Sequence, residues 1–277
     1  MKFNEFGPER ERLSALGLGC SKIGSFNNAA SHADIWRTLD RAMELGVNVF
    51  DTADVYGQGD SERTLGRFLR GKRQQAFVVS KVGKRFSLKM RLARPLKPLL
   101  RPLIRKSAAA RSTIVERRND NIATDFKPAY LAKAVEGSLK RLRFESLDAL
   151  LLHSPHASDL VDRDLEPMLG RLKRDGKIRH YGVSCDDMPS LTKALELDAL
   201  TLLELPLDLI ERARLTSAWS AIAARRIGVI AREVIRFRPT QSPAVAVSEV
   251  LRSGDITCVV AGTSQARHLT ELATGVI

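Results

Sequence analysis

Residues 76–82 read Ala76-Phe77-Val78-Val79-Ser80-Lys81-Val82, an apolar run broken only by Ser80 and Lys81. A strand with one wet face alternates apolar and polar residues, whereas a nearly continuous apolar run is a strand covered on both faces. Working outward from it, seven further runs of the same kind appear: LSALGLGC (13–20), VNVFDTA (47–53), LDALLLH (147–153), HYGVSC (180–185), TLLELPL (201–207), GVIARE (228–233) and ITCVVAGT (256–263). Helical spacing lies between them. Leu65, Phe68 and Leu69 stand at i, i+3, i+4, and Leu131, Ala134, Leu139 and Leu142 form one stripe. Ser242-Pro243 reads as an N-cap followed by proline at the first helical position. Eight strand–helix units in about 250 residues predict an α/β chain folded as a (β/α)8 TIM barrel, one unit over residues 1–277. A doubly wound sheet is the alternative; the even repetition favours closure.

Composition narrows the class. Hydrophobic residues make up 44% of the 277 and charged residues 28%, an ordinary globular balance. The cysteines Cys20, Cys185 and Cys258 are few, odd in number and without a CxxC pair, which excludes a disulfide framework or zinc site and predicts no metal. No apolar run reaches the roughly 18 residues of a membrane span. The first residues, MKFNEFGPERER, are charged where a signal peptide needs its apolar stretch, so the expected location is cytoplasmic. Gly17, Gly19 and Gly24 imitate a dinucleotide fingerprint, but the spacing is not GxGxxG and no acidic residue follows at a strand end. They read as glycines of a tight turn.

The net charge of +13 is concentrated in one place. Residues 84–118 carry twelve basic side chains against Glu116 alone, which is +11 of the total. The segment, taken as a basic insert over 84–122 after the third strand, interleaves leucines and cations in SLKMRLARPLKPLLRPLIRK (87–106). Prolines at 95, 98 and 102 forbid one long helix. Three readings compete: a solvated loop, a surface for an acidic partner (a carrier protein, a phosphorylated sugar or an anionic membrane contacted peripherally), and a nucleic-acid contact. Phe86 is its only aromatic, which weighs against nucleic acid.

Chemistry in a barrel of this class sits at the C-terminal strand ends. Asp51 ends the second run, with Tyr56 in the loop after it; Lys81 ends the third and His153 the fourth. Singly, Asp51 reads as a helix cap and His153 as a core imidazole. Four such residues at three consecutive strand ends suggest a tyrosine acid. A phenol of ordinary pKa near 10 is too weak for neutral pH. A lysine ammonium about 4 Å away would favour its phenolate by roughly 4 kcal/mol at an effective dielectric near 20. Asp51 would hold Lys81, and His153 would hydrogen-bond a substrate oxygen. A proton given to a carbonyl as hydride arrives is carbonyl reduction, with the hydride supplied by a cofactor.

The motifs Asn48-Val49-Phe50-Asp51-Thr52-Ala53-Asp54-Val55-Tyr56-Gly57, Ser61-Glu62, Leu65-Gly66, Val79-Ser80-Lys81-Val82-Gly83, Leu151-Leu152-His153-Ser154-Pro155 and Lys177-Ile178-Arg179-His180-Tyr181-Gly182-Val183-Ser184 resemble those of the aldo-keto reductases. The similarity covers nearly the whole chain outside the basic insert. It implies a (β/α)8 barrel, NADP(H) bound without a Rossmann domain, and the tetrad Asp51, Tyr56, Lys81 and His153. It also implies a cofactor site built from Cys20, Ser21, Ser184, Cys185, Glu204, Arg232, Thr263, Ser264, Gln265, Arg267, His268 and Glu271, with NAD(H) as the alternative cofactor.

The departures fall in that site. Cys185 replaces the asparagine that follows Gly-Val-Ser in the family, Glu204 replaces its glutamine, and Arg232 its stacking aromatic, as in some branches. Glu204 and Arg232 are expected to pair across adjacent strand ends. Thr263 and Ser264 ahead of a helix suit an anion, with His268 at the family's arginine or glutamine position and Leu272 at its asparagine. The chain stops soon after the eighth helix begins, leaving the insert to take the place of a closing loop. The function implied is NADPH-dependent reduction of an aldehyde, ketone or sugar, acidic or carrier-bound if the insert recognises it. The other class is a cofactor-binding sensor or scaffold.

Overall fold

The computed structural model describes residues 1–24, 30–86 and 122–276. Eight parallel strands close into a barrel: β3 (Leu16–Gly19), β4 (Val49–Asp51), β5 (Phe77–Val82), β8 (Leu147–His153), β9 (Ile178–Ser184), β10 (Leu202–Pro206), β11 (Gly228–Arg232) and β12 (Cys258–Gly262). Each of the eight apolar runs supplies one of them. Alternation along each strand sorts its side chains. On β5, Phe77 and Val79 enter the barrel interior, while Val78 and Val82 join the shell between barrel and helices. Val49, Leu151, Leu202, Ile230 and Val260 fill the interior in the same way.

The shell is closed by helices, among them α1 (His32–Glu44), α2 (Asp60–Phe68), α3 (Pro128–Leu142), α4 (Leu165–Arg174) and α5 (Met188–Ala194). They continue with α6 (Leu207–Ala213), α7 (Ser217–Ala224), α8 (Val234–Phe237), α9 (Pro243–Arg252) and α10 (Ala266–Ala273). Ser242 caps α9 by accepting from the Val245 N–H, with Pro243 at the first turn, as its sequence predicts.

One element differs from the sequence reading. Residues 13 and 14 do not continue into the first barrel strand. They belong to a hairpin, β1 (Phe3–Phe6) with β2 (Glu11–Ser14), that closes the N-terminal end of the barrel. Phe6 and Leu13 pack into the interior cluster, so this end is a plugged core. The basic insert begins and ends on a second ladder, β6 (Lys84–Phe86) against β7 (Ile122–Thr124). Residues 87–121, which carry the competing readings of the insert, lie outside the described residues. Among the described residues no helix is long and apolar enough to cross a membrane.

Candidate active site

Alternation that sends Val49, Val79, Leu151, Leu202 and Ile230 inward sends the residue two further along inward as well. At the C-terminal end of the barrel those residues are Asp51, Lys81, His153, Glu204 and Arg232. A polar ring therefore lies directly above the apolar interior. Lys81 is 0% exposed, and Asp51 and Glu204 are 4% and 2% exposed. The ammonium of Lys81 donates to Asp51 and lies 3.0 Å from Oε2 of Glu204. Its Nζ stands 5.4 Å from the centroid of the Tyr56 ring. The Tyr56 and His153 rings meet edge to face, with centroids 5.8 Å apart.

Tyr56 is aimed by its loop. The Thr52 and Asp54 N–H groups donate to the carbonyls of Val79 and Lys81, so the chain leaving β4 stays tied to β5. A single turn, Tyr56–Gly59, follows, with Gly57, Gln58 and Gly59 all at positive φ. A Cβ on Gly57 would come within 2.6 Å of the Gly24 carbonyl oxygen, so only glycine fits there. Below the loop, Ser61 shares a hydrogen bond of 2.8 Å with Thr52 and donates to the Cys20 carbonyl. Buried Glu62 accepts from Ser80 and pairs with Arg141. The Ser61-Glu62 motif thus fastens α2, and with it the Tyr56 loop, to β5 and α3.

The electrostatics carry an unexpected feature. Burial and the neighbouring Glu204 carboxylate push the Asp51 carboxyl up to about 7, against the pull of Lys81. Asp51, Glu204 and Tyr56 together raise Lys81 above its ordinary value despite complete burial. Glu204 and Arg232 do approach, Nε to Oε1 3.6 Å. Arg232 is held more closely by Asp186 and Glu233, and it donates to the Cys185 carbonyl at 3.2 Å. Asp186 and Glu233 carry no motif in the sequence; only the closing of the barrel brings them together.

Two cavities open above the ring. The first, about 800 Å³, is lined by Tyr56, His153, Ser184, Glu204 and Arg232, with Ser21 and Gly262. The second, about 450 Å³, is lined by Thr263, His268 and Glu271, with Leu272. Val260, Gly262, Glu233 and Arg236 border both. An extended ligand could run from the tyrosine to the start of α10. Thr263 accepts from the Gln265 N–H and lies 3.5 Å from Nδ1 of His268. Ser264 is buried in the same turn. Gln265 and Arg267 are exposed and bonded to each other, and neither lines these two cavities.

Cys20 and Cys185 are absent from both linings. They are fully buried in the shell behind the strands, and burial pushes the Cys185 thiol up to about 12. By alternation this follows from Gly19 and Ser184 facing inward. Among the described residues the group of metal-ligating type is Glu9, Glu11 and His180, with ligand atoms within 4.8 Å of one another, at the plugged end of the barrel.

Comparison with known proteins agrees with the geometry. Residues 15–235 match the model of the Aldo/keto reductase family. The chain is similar to D-threo-aldose 1-dehydrogenase of a Pseudomonas species, 30% identical over 254 residues, which is 87% of this chain and 70% of that one. It is similar to aldo-keto reductase yakc [NADP(+)] of Schizosaccharomyces pombe, 24% identical over 63% of this chain and 43% of that one. The solved structure of an aldo-keto reductase from Pseudomonas aeruginosa superposes with a TM-score of 0.75 at 25% identity, covering 99% of this chain and 95% of that one. The chain belongs to the aldo/keto reductase family and is an NAD(P)H-dependent oxidoreductase of (β/α)8 fold.

Proposed function

We propose that the protein reduces a small hydroxylated carbonyl, such as an aldose or hydroxyaldehyde, with NADPH as the preferred cofactor and Tyr56 as the acid. The observation that carries this reading is the buried Asp51–Lys81 pair beneath the edge-to-face rings of Tyr56 and His153. A cation 5.4 Å from the centre of the phenol ring favours the phenolate over the neutral phenol. Lys81 therefore lowers the cost of losing the phenolic proton. Asp51 holds Lys81 charged and in place. His153, in the wall of the same cavity, is positioned to donate to the substrate oxygen that receives the Tyr56 proton.

The residues fit a nicotinamide dinucleotide. The two cavities share a border, glycines at 19 and 262 leave room at the strand ends, and Thr263 and His268 in the second lining offer donors to a phosphate, with Ser264 buried in the same turn. When bound, the cofactor supplies the hydride. Ser21, Ser184, Glu204 and Arg232 line the part of the site nearest Tyr56, and Glu271 the far part; Gln265 and Arg267, exposed in the turn after Thr263, would have to reach the cofactor from outside the two cavities. Cys20 and Cys185 support the site from behind.

Two observations favour a hydroxylated, uncharged substrate. One is the similarity to an aldose dehydrogenase. The other is a cavity wall holding Asp51, Asp186, Glu204, Asp208 and Glu233 beside Lys84, Arg232 and Arg236, whose acids are largely matched by cations and accept hydrogen bonds from the hydroxyls of a neutral sugar. An acidic carrier or membrane would have to be met by the basic insert, residues 84–122 of a single barrel unit spanning 1–277.

Titrating the protein with NADPH and then NADH, read by nicotinamide fluorescence, tests the cofactor assignment. One charge-assisted contact to the added phosphate is worth roughly 1.5–3 kcal/mol, so NADPH should bind about tenfold tighter or more. Equal dissociation constants would refute it.

A further inference from the structure

Glu204 stands where an uncharged side chain would leave Lys81 with a single carboxylate. Instead Lys81 lies between two, donating to Asp51 and 3.0 Å from Glu204. All three are buried, so water screens none of them well. Two anions and one cation leave a net charge of −1.

The groups facing this trio do not cancel it. Tyr56 and His153 stand above it, from the β4 loop and β8. Ser184, from β9, donates to Glu204 at 3.3 Å and adds no charge. Cys258 on β12 and Cys20 after β3 are thiols pushed far up by burial and by Asp51, so they stay neutral. Arg232, from β11, lies 3.6 Å from Glu204 and shares its charge with Asp186 and Glu233 at the rim; Lys84 and Arg236 stand further out with Asp208, in the wall of the cavity above. The Asp51 carboxyl is raised first by burial and then by the Glu204 carboxylate beside it.

We propose that Glu204 is a positioning residue for the proton transfer: as the second carboxylate on Lys81, it offsets that cation's pull on Tyr56 and holds the phenolic proton to higher pH. This rests on the reading of Tyr56 as the acid. Reduction needs the phenol and oxidation needs the phenolate. Glu204 therefore extends reduction to more alkaline solution and postpones oxidation.

The test follows phenolate formation in the whole protein without cofactor, by near-ultraviolet difference spectra against Tyr56→Phe. A like charge raises an acid's titration, and Glu204 acts on Tyr56 across the Lys81 ammonium that both approach. Glu204→Gln should therefore lower the Tyr56 midpoint by about one pH unit, and Glu204→Asp should restore it. The pH limbs of carbonyl reduction and alcohol oxidation should move down together by the same amount. A midpoint that stays in place, or a lower kcat without movement of the limbs, would mean that Glu204 only packs, and would overturn the proposal. Should Glu204→Gln not fold, Glu204→Met removes the same charge with an apolar side chain of similar length and should lower the midpoint likewise; an unmoved midpoint again overturns it. If Tyr56→Phe turns over normally, the acid assignment falls and the proposal with it; if that variant is inactive and the Glu204→Gln midpoint stays in place, the proposal alone falls.

Discussion

Lys81→Met removes the cation from between two buried carboxylates and puts an apolar chain of similar length in its place. Asp51 and Glu204, 4% and 2% exposed, would then face each other with no cation between them. Removing one partner of a buried ion pair costs about 3–5 kcal/mol. At roughly 2–4 °C per kcal/mol for chains near this size, Tm should fall by about 6–20 °C at pH 8. The pH dependence carries the sharper test. The folded Asp51 carboxyl is already held up to about 7, above an ordinary unfolded carboxylate near 3.9. A group raised on folding lends stability that is complete below the unfolded value and is lost as pH climbs through the folded one. Without Lys81 that loss deepens and reaches higher pH. The gap between variant and wild type should therefore be wide at pH 8 and shrink toward pH 5, as the carboxyls take up protons. Adding Glu204→Gln to Lys81→Met should recover part of the loss at pH 8. Differential scanning fluorimetry of the three proteins across this range measures it. A loss independent of pH, or none at pH 8, would refute the buried-charge reasoning.

Two further outcomes check the scaffold. Gly182→Ala would put a Cβ 1.8 Å from the Leu202 carbonyl oxygen in the neighbouring strand, so the soluble, folded yield should collapse; Gly170→Ala, inside α4 with room for a methyl group, should instead stabilise by about 0.5–1 kcal/mol in a Tm comparison. Cys20, Cys185 and Cys258 are buried with their thiols pushed up, so a chromogenic disulfide reagent at pH 8 should find none of them until denaturant is added.

The barrel was legible because strands covered on both faces read as unbroken apolar runs, and eight of them recur. That Asp51, Lys81 and His153 come together beside Tyr56 was legible for a related reason. On a strand of period two, a charged residue ending such a run sits where barrel chemistry sits. Cys185 shows the limit of reading motif positions without that period: Ser184 faces the cavity, so the next residue must face the helices. The N-terminal hairpin was missed because FNEF and ERLS are short and mixed, like any polar surface strand. Glu204 and Arg232 were expected to pair, but their distribution among Lys81, Asp186 and Glu233 depends on closing β10 between β9 and β11. No spacing along the chain encodes that arrangement.

The central claim is that Tyr56 gives its proton to a carbonyl reduced by NADPH. Steady-state reduction of a panel of aldehydes, ketones and aldoses, wild type against Tyr56→Phe, tests it most directly, because the variant keeps the ring and loses only the hydroxyl. The account predicts at least the roughly 10²-fold loss of kcat typical of general acid catalysis, with the NADPH dissociation constant unchanged. A variant that turns over the panel as fast as the wild type would contradict it.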